Sequence, residues 1–186
     1  MLPGNRRLDR ANCGSDRRHS FNASTVWATP RVSNRVLKIV AGGWQLSGIV
    51  RLTTGTWLTP VTGLDNALTG QQDQRPNQVR ANVYDRQKNN DVWINPAAYT
   101  QPATGTYGNA GRLSILGPGS IRIDMGLSRT FQVRENQSVQ LRVEAFNAPN
   151  HLNPGNPNVT FNNQNFGRIL SAGDPRLMQV GLKYTF

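Results

Sequence analysis

Asp124 and Glu144, each close in sequence to an arginine (Arg122 and Arg142), are the carboxylates of this chain best placed to do chemistry. On adjacent strands and on one face they would form either a general acid/base pair or part of a charge-paired polar surface. Opposite charges on neighbouring strands stabilise a sheet face, and pairing is the preferred reading. His19 and His151 are the only histidines and lie far apart, so a metal site built on them would need a carboxylate from elsewhere. Both are read as surface or loop residues. The chain contains no Gly-Lys-Ser/Thr phosphate loop, no HExxH, no GxSxG and no GxGxxG; Gly117-Pro118-Gly119 lacks the rest of that last motif. The expectation is a chain that is not an enzyme and carries no cofactor.

The elements that position these groups are extended. In Arg176 to Phe186, Met178, Val180, Leu182, Tyr184 and Phe186 fall on one side, with Gln179, Gly181, Lys183 and Thr185 on the other. Four further segments alternate in the same way: Ser20 to Ala28, Gly43 to Thr54 (with Ile49 as the exception), Ser120 to Phe131 and Gln137 to Phe146. A period of two with one polar face fits any antiparallel sheet that is wet on one side. It also fits transmembrane barrel strands, which cross a bilayer in ~9–11 tilted residues.

Composition narrows the classes. The 186 residues carry 21 Lys+Arg against 10 Asp+Glu, a net charge of +11, and hydrophobic residues make up 37%. The basic excess, almost all arginine, suits phosphates on nucleic acid, lipid head groups or lipopolysaccharide. The arginines are scattered apart from Arg6, Arg7, Arg10, Arg17 and Arg18, and no nucleic-acid-binding motif accompanies them, so no nucleic-acid partner is expected. Cys13 is the only cysteine, which excludes an intramolecular disulfide. The most apolar stretch, Val36 to Leu52, is interrupted by Lys38, Gln45 and Arg51 and falls short of the ~20 residues of a spanning helix.

The connections alternate in length. Thr29 to Gly42 and Gln132 to Asn136 are short; 55–119 and 147–175 are long and rich in Gly, Pro and Asn, and read as irregular loops. Outer-membrane barrels have short periplasmic turns and long outside loops, and a periplasmic C-terminus places every long connection outside. Trp27, Trp44, Trp57, Tyr184 and Phe186 lie near expected strand ends, as aromatic girdles at membrane interfaces would require. The competing reading is a soluble, secreted β-sandwich that binds carbohydrate by stacking on Trp93, Tyr99 and Tyr107; a basic nucleic-acid-binding β protein is a third.

Several motifs carry a family resemblance. Gly117-Pro118-Gly119 through Ile123-Asp124-Met125-Gly126-Leu127-Ser128-Arg129-Thr130-Phe131, then Leu141-Arg142-Val143-Glu144-Ala145-Phe146-Asn147, Pro149-Asn150-His151, Asn153, Phe166-Gly167-Arg168-Ile169 and Asp174-Pro175-Arg176 to Phe186 resemble the C-terminal end of TonB-dependent outer-membrane receptors. The nearest kind is Oar-like, beginning with a carboxypeptidase-regulatory-like domain. Asp16 to Phe21 and Gly42 to Gly48 look like strands of the same barrel. The resemblance implies a bacterial outer-membrane barrel of about 22 strands, with a plug, that binds or imports large ligands. It implies outer-membrane lipid and lipopolysaccharide, the barrel assembly machinery, and the remaining barrel and plug as partners. It also gives the terminal strand an assembly signal at Tyr184 and Phe186. It leaves the ligand unspecified.

The expected fold is therefore all-β: an antiparallel meander of about five long strands, an incomplete part of a transmembrane β-barrel with long extracellular loops. The sequence holds no signal peptide, plug or TonB-contacting box, and five strands are fewer than the 8 of the smallest barrels. It reads as a C-terminal fragment, with 1–15 a disordered or truncated segment and 16–186 the barrel strands.

Overall fold

A computed structural model describes residues 6–30, 40–85 and 91–186. They form two units: residues 19–53, 120–153 and 174–186 make a sheet, and residues 6–18, 54–119 and 154–173 make a second body. Part of the expected first turn, residues 31–39, and residues 1–5 of the expected N-terminal segment lie outside the described residues.

The sheet consists of β1 (Ser20–Ala28), β2 (Trp44–Thr53), β7 (Ser120–Arg134), β8 (Gln137–Phe146) and β9 (Leu177–Thr185), in the order β1-β2-β7-β8-β9, every pair antiparallel. The chain is an all-β antiparallel meander. Directly opposed residues share a face, so the register turns each strand's alternation into continuous rows. One row runs Trp27, Leu46, Leu127, Val143, Val180; the next runs Thr25, Gly48, Met125, Ala145, Met178. The opposite face carries Ala28, Gln45, Ser128, Arg142 and Gly181 in one row and Thr130, Gln140 and Lys183 in another. At one end β7 and β8 are joined through Glu135 and Asn136, with a register shift between Gln132 and Arg134 that bulges the strand at Val133. Among the described residues β1 and β9 are the outer strands and do not pair with each other, so the sheet is open.

At the other end of the sheet, Asn147 ties three strands together. Its φ of 48° is one that asparagine tolerates, and its side chain is buried. Its backbone N–H donates to Asp124 Oδ1 (2.9 Å), its Nδ2 donates to the His151 and Asp174 carbonyls (2.9 and 3.1 Å), and its Oδ1 accepts from His151 N–H (2.9 Å). Asn153 accepts from Ile121 N–H and Asn150 from Arg176 N–H, so three asparagines hold the ends of β7 and β9.

The long connections hold few regular elements, as expected of irregular loops, but they pack into a body with its own core. It has a core of Ile94, Ala98, Tyr99, Ala110, Ile115 and Phe166, against which Leu58, Tyr84, Trp93 and Phe161 pack. Edge-to-face ring pairs join Tyr99 to Phe166 (5.7 Å) and Phe161 to Phe166 (5.2 Å), a favoured aromatic geometry. Four two-residue strands pair as β3 (Trp57–Leu58) with β6 (Ile115–Leu116) and β4 (Asn77–Gln78) with β5 (Tyr99–Thr100). A 3-10 turn, Pro96–Ala98, is capped by Asn95, whose side chain accepts from Ala97 N–H. Residues 6–15 contribute a 3-10 turn, Arg6–Asp9, and the Asp9 carboxylate pairs with Arg75 at 2.9 Å.

The Tyr99 hydroxyl finds no hydrogen-bond partner among the described residues. Its ring is 2% exposed, and burial pushes its pKa up to about 12. An unsatisfied buried hydroxyl costs about 1–3 kcal/mol. Tyr99→Phe is therefore expected to be neutral or to stabilise this unit by about 1 kcal/mol, measured as a shift in denaturation midpoint at unchanged m.

Candidate membrane face and terminal strand

Many side chains of the sheet's apolar rows are exposed. Phe21, Trp27, Leu46, Leu52, Ile121, Met125, Leu127 and Phe131 are 36% or more exposed, and on β9 Val180 and Leu182 reach 71% and 73%. A contiguous apolar surface across five strands far exceeds what a soluble monomer leaves in water. The polar face is organised instead by ionic and hydrogen-bonding contacts. Arg142 pairs with Glu144 at 3.0 Å, Gln179 donates to Glu144, Arg51 donates to Asn22, and Thr53 and Ser120 share a hydrogen bond at 2.8 Å. Asp124 is bound to Asn147 N–H and Glu144 to Arg142, and their register does not set them opposite each other. A sheet with one oily and one wet face, on strands 9 to 15 residues long, has the dimensions and polarity of a barrel wall between lipid and lumen.

Residues 2–179 match the family model described as outer membrane beta barrel domain. The chain belongs to this family. No curated protein and no solved structure matches it.

As an outer membrane β-barrel domain, the chain has its aromatic residues in informative places. Trp27, Trp44, Phe131, Tyr184 and Phe186 gather at the end of the sheet where Glu135 and Asn136 turn, by the register of β1, β2, β7, β8 and β9. This is the position of an interfacial girdle. Arg129 was not anticipated there: it lies in the apolar row Trp44, Arg129, Leu141, Leu182. Its guanidinium stacks over the Trp44 ring (5.2 Å) and the Phe131 ring (4.6 Å) and donates to the Val40 carbonyl. A guanidinium carried by ring faces at the edge of an apolar belt keeps its charge at the level of lipid head groups. The signal for it in the sequence is one basic residue out of phase in an apolar series that is flanked by aromatics.

Trp57 departs from the girdle expectation. It sits in β3 of the second body with Arg18 over its ring at 5.4 Å, because it follows Gly55 into the short β3–β6 pair and does not extend β2. On the terminal strand, Tyr184 lies opposite Val139, and its ring stacks with Phe186 (5.9 Å, 30° between planes). Phe186 is 91% exposed. The three aromatics of the carbohydrate reading separate: Trp93 donates to the Leu116 carbonyl (2.9 Å) and packs on the core, Tyr99 is inside it, and Tyr107 is exposed.

The motif residues also acquire physical roles. Phe166 is core, Gly167 admits close backbone approach, and Arg168 pairs with Asp91. The Arg168 guanidinium holds the Asp91 carboxyl below the usual carboxylate range.

Proposed function

We propose that this outer membrane β-barrel domain is the C-terminal part of a TonB-dependent receptor of the Oar-like kind, in the bacterial outer membrane. The chain contributes barrel strands, the connections that gather into the second body, and a terminal strand that the barrel assembly machinery reads through Tyr184 and Phe186. The observation that carries the reading is the open, two-faced sheet. Strand edges at β1 and β9 need partners, and a wall this oily needs lipid on one side. The partners are therefore further strands and a plug of the same receptor, outer-membrane lipid, and lipopolysaccharide phosphates within reach of the arginines. The chain leaves the sheet at Thr53 and Phe146 and re-enters at Ser120 and Leu177, all at the end remote from the Glu135–Asn136 turn. With that turn periplasmic, the connections that begin after Thr53 and Phe146 start on the extracellular side. The domain performs no catalysis and needs no cofactor.

Deleting Phe186 in the full-length receptor is expected to reduce the heat-modifiable, folded band in outer membranes severalfold while total synthesis is unchanged. Wild-type levels of folded receptor in the deletion strain would contradict the assembly role. Ligand uptake that persists when the inner-membrane energy supply is uncoupled would contradict TonB dependence.

A further inference from the structure

The second body contains a cleft of about 350 Å³, within the ~300–1,000 Å³ of small-ligand sites. One wall is the segment from Thr69 to Arg75, the other Tyr107 and Gly108. Both walls are fixed before any ligand arrives. Asp65 accepts from Thr69 N–H and Gly70 N–H through its two carboxylate oxygens, and the Gln74 amide donates to the same carboxylate. These bonds, that to Thr69 N–H foremost, hold the Asp65 carboxyl below its ordinary range. On the other side a Cβ at Gly108 would lie 2.0 Å from the Arg75 carbonyl oxygen, so only glycine lets this strand of chain rest on its neighbour. Reciprocal bonds from Gln78 N–H to Asn109 Oδ1 (2.7 Å) and from Asn109 N–H to Asn77 Oδ1 (3.2 Å) lock the two together.

Three side chains on these rigid walls carry no hydrogen bond among the described residues: Gln71, Asp73 and Tyr107, all exposed. Arg75, the cation of the cleft, is already paired with Asp9. The lining is polar, in contrast to the apolar sites that take lipids or drug-like molecules. It offers a flat aromatic face, a carboxylate that accepts from adjacent hydroxyls, and an amide that both donates and accepts. A pyranose presents the matching surfaces, an apolar C–H face and a rim of hydroxyls.

We propose that this cleft binds a neutral saccharide, with Tyr107 stacking on a sugar ring and Gln71 and Asp73 bonding its hydroxyls. As the ligand class of a receptor it rests on the proposed function, but the binding itself needs only the second body. Preorganised walls keep the ordering cost of binding low.

The test is saturation-transfer NMR and calorimetry on the full chain in detergent. The probes are maltohexaose, cellohexaose and xylohexaose, with lipid-free lipopolysaccharide core oligosaccharide, pentalysine and inorganic phosphate as charged controls. The proposal expects one or more of the hexaoses to bind, about tenfold weaker in Tyr107→Ala, nearly unchanged in Tyr107→Phe and weaker in Gln71→Ala. Binding of a hexaose supports a neutral glycan as the ligand, and binding of the charged core sugar alone overturns the proposal. No saccharide binding to the folded chain, binding indifferent to Tyr107→Ala, or binding of pentalysine in place of sugars overturns it. Saccharide binding that persists while the full-length protein shows no energised uptake would overturn the transport reading and leave the cleft intact.

Discussion

Leu127→Arg is expected to lower the stability of the lipid-inserted protein by about 1–3 kcal/mol, between the small cost of an arginine at the interface of a barrel's lipid face and the larger cost at its midplane. Leu127 lies in the central strand, between Leu46 and Val143 in an apolar row that crosses all five strands. It is two residues from Arg129, so the pair also tests depth. Arg129 has ring faces and a carbonyl at the girdle level, whereas an arginine at 127 is one row deeper, among aliphatic neighbours. Gln45→Arg, on the opposite face, should cost less than about 1 kcal/mol, because that face is solvated by the lumen. Urea titration in phospholipid vesicles, followed by tryptophan emission, measures both. Equal costs at the two positions would mean that the faces do not differ in environment.

Gly167→Ala should unfold or nearly unfold the second body, at a cost of about 3–5 kcal/mol. Gly167 has φ +79°, and a Cβ there would lie 2.3 Å from the Ile94 carbonyl oxygen, which cannot move without breaking the core around Ile94. The Gly167 carbonyl also accepts from both Trp93 N–H (2.8 Å) and Ile94 N–H (3.1 Å), so the segment that would shift holds two more of the core's backbone groups. Gly105 provides the control. Its φ is +78°, but a Cβ there meets nothing within 4 Å, so Gly105→Ala should cost only the conformational part, about 1 kcal/mol. Similar losses at the two positions would show that conformation alone, and not the close approach to Ile94, decides the effect.

The five strands were legible because an alternating face survives without any knowledge of its neighbours. Ser20–Ala28 and Gln137–Phe146 have the expected bounds, and β7 runs three residues past Phe131 because its turn needs only Glu135 and Asn136. The core of the second body was hidden for the opposite reason. Its strands are two residues long, and its contacts join distant segments, as when Ile94 N–H meets the Gly167 carbonyl, so no local period records them. Composition indicated turns in the same place, from the many asparagines and prolines of 147–165, but not that these turns are the frame that carries Val159, Phe161 and Phe166 to the core. Asn147 stood out only as part of a resemblance. Its partners Asp124 and Asp174 are 23 and 27 residues away, beyond any local pattern. Tyr184 and Phe186 were found by alternation, and their proposed role rests on family likeness, since stacked rings on an exposed strand end have no mechanism of their own.

The central claim, that one face of this sheet lies against lipid, is tested most directly along β9. In a Cys13→Ser background, single cysteines placed at each position from 178 to 183 carry an environment-sensitive fluorophore, and the protein is inserted into vesicles whose acyl chains bear a quencher. The account predicts quenching with a period of two, strong at Met178, Val180 and Leu182 and weak at Gln179, Gly181 and Lys183. Uniform quenching, or the opposite phase, would contradict it.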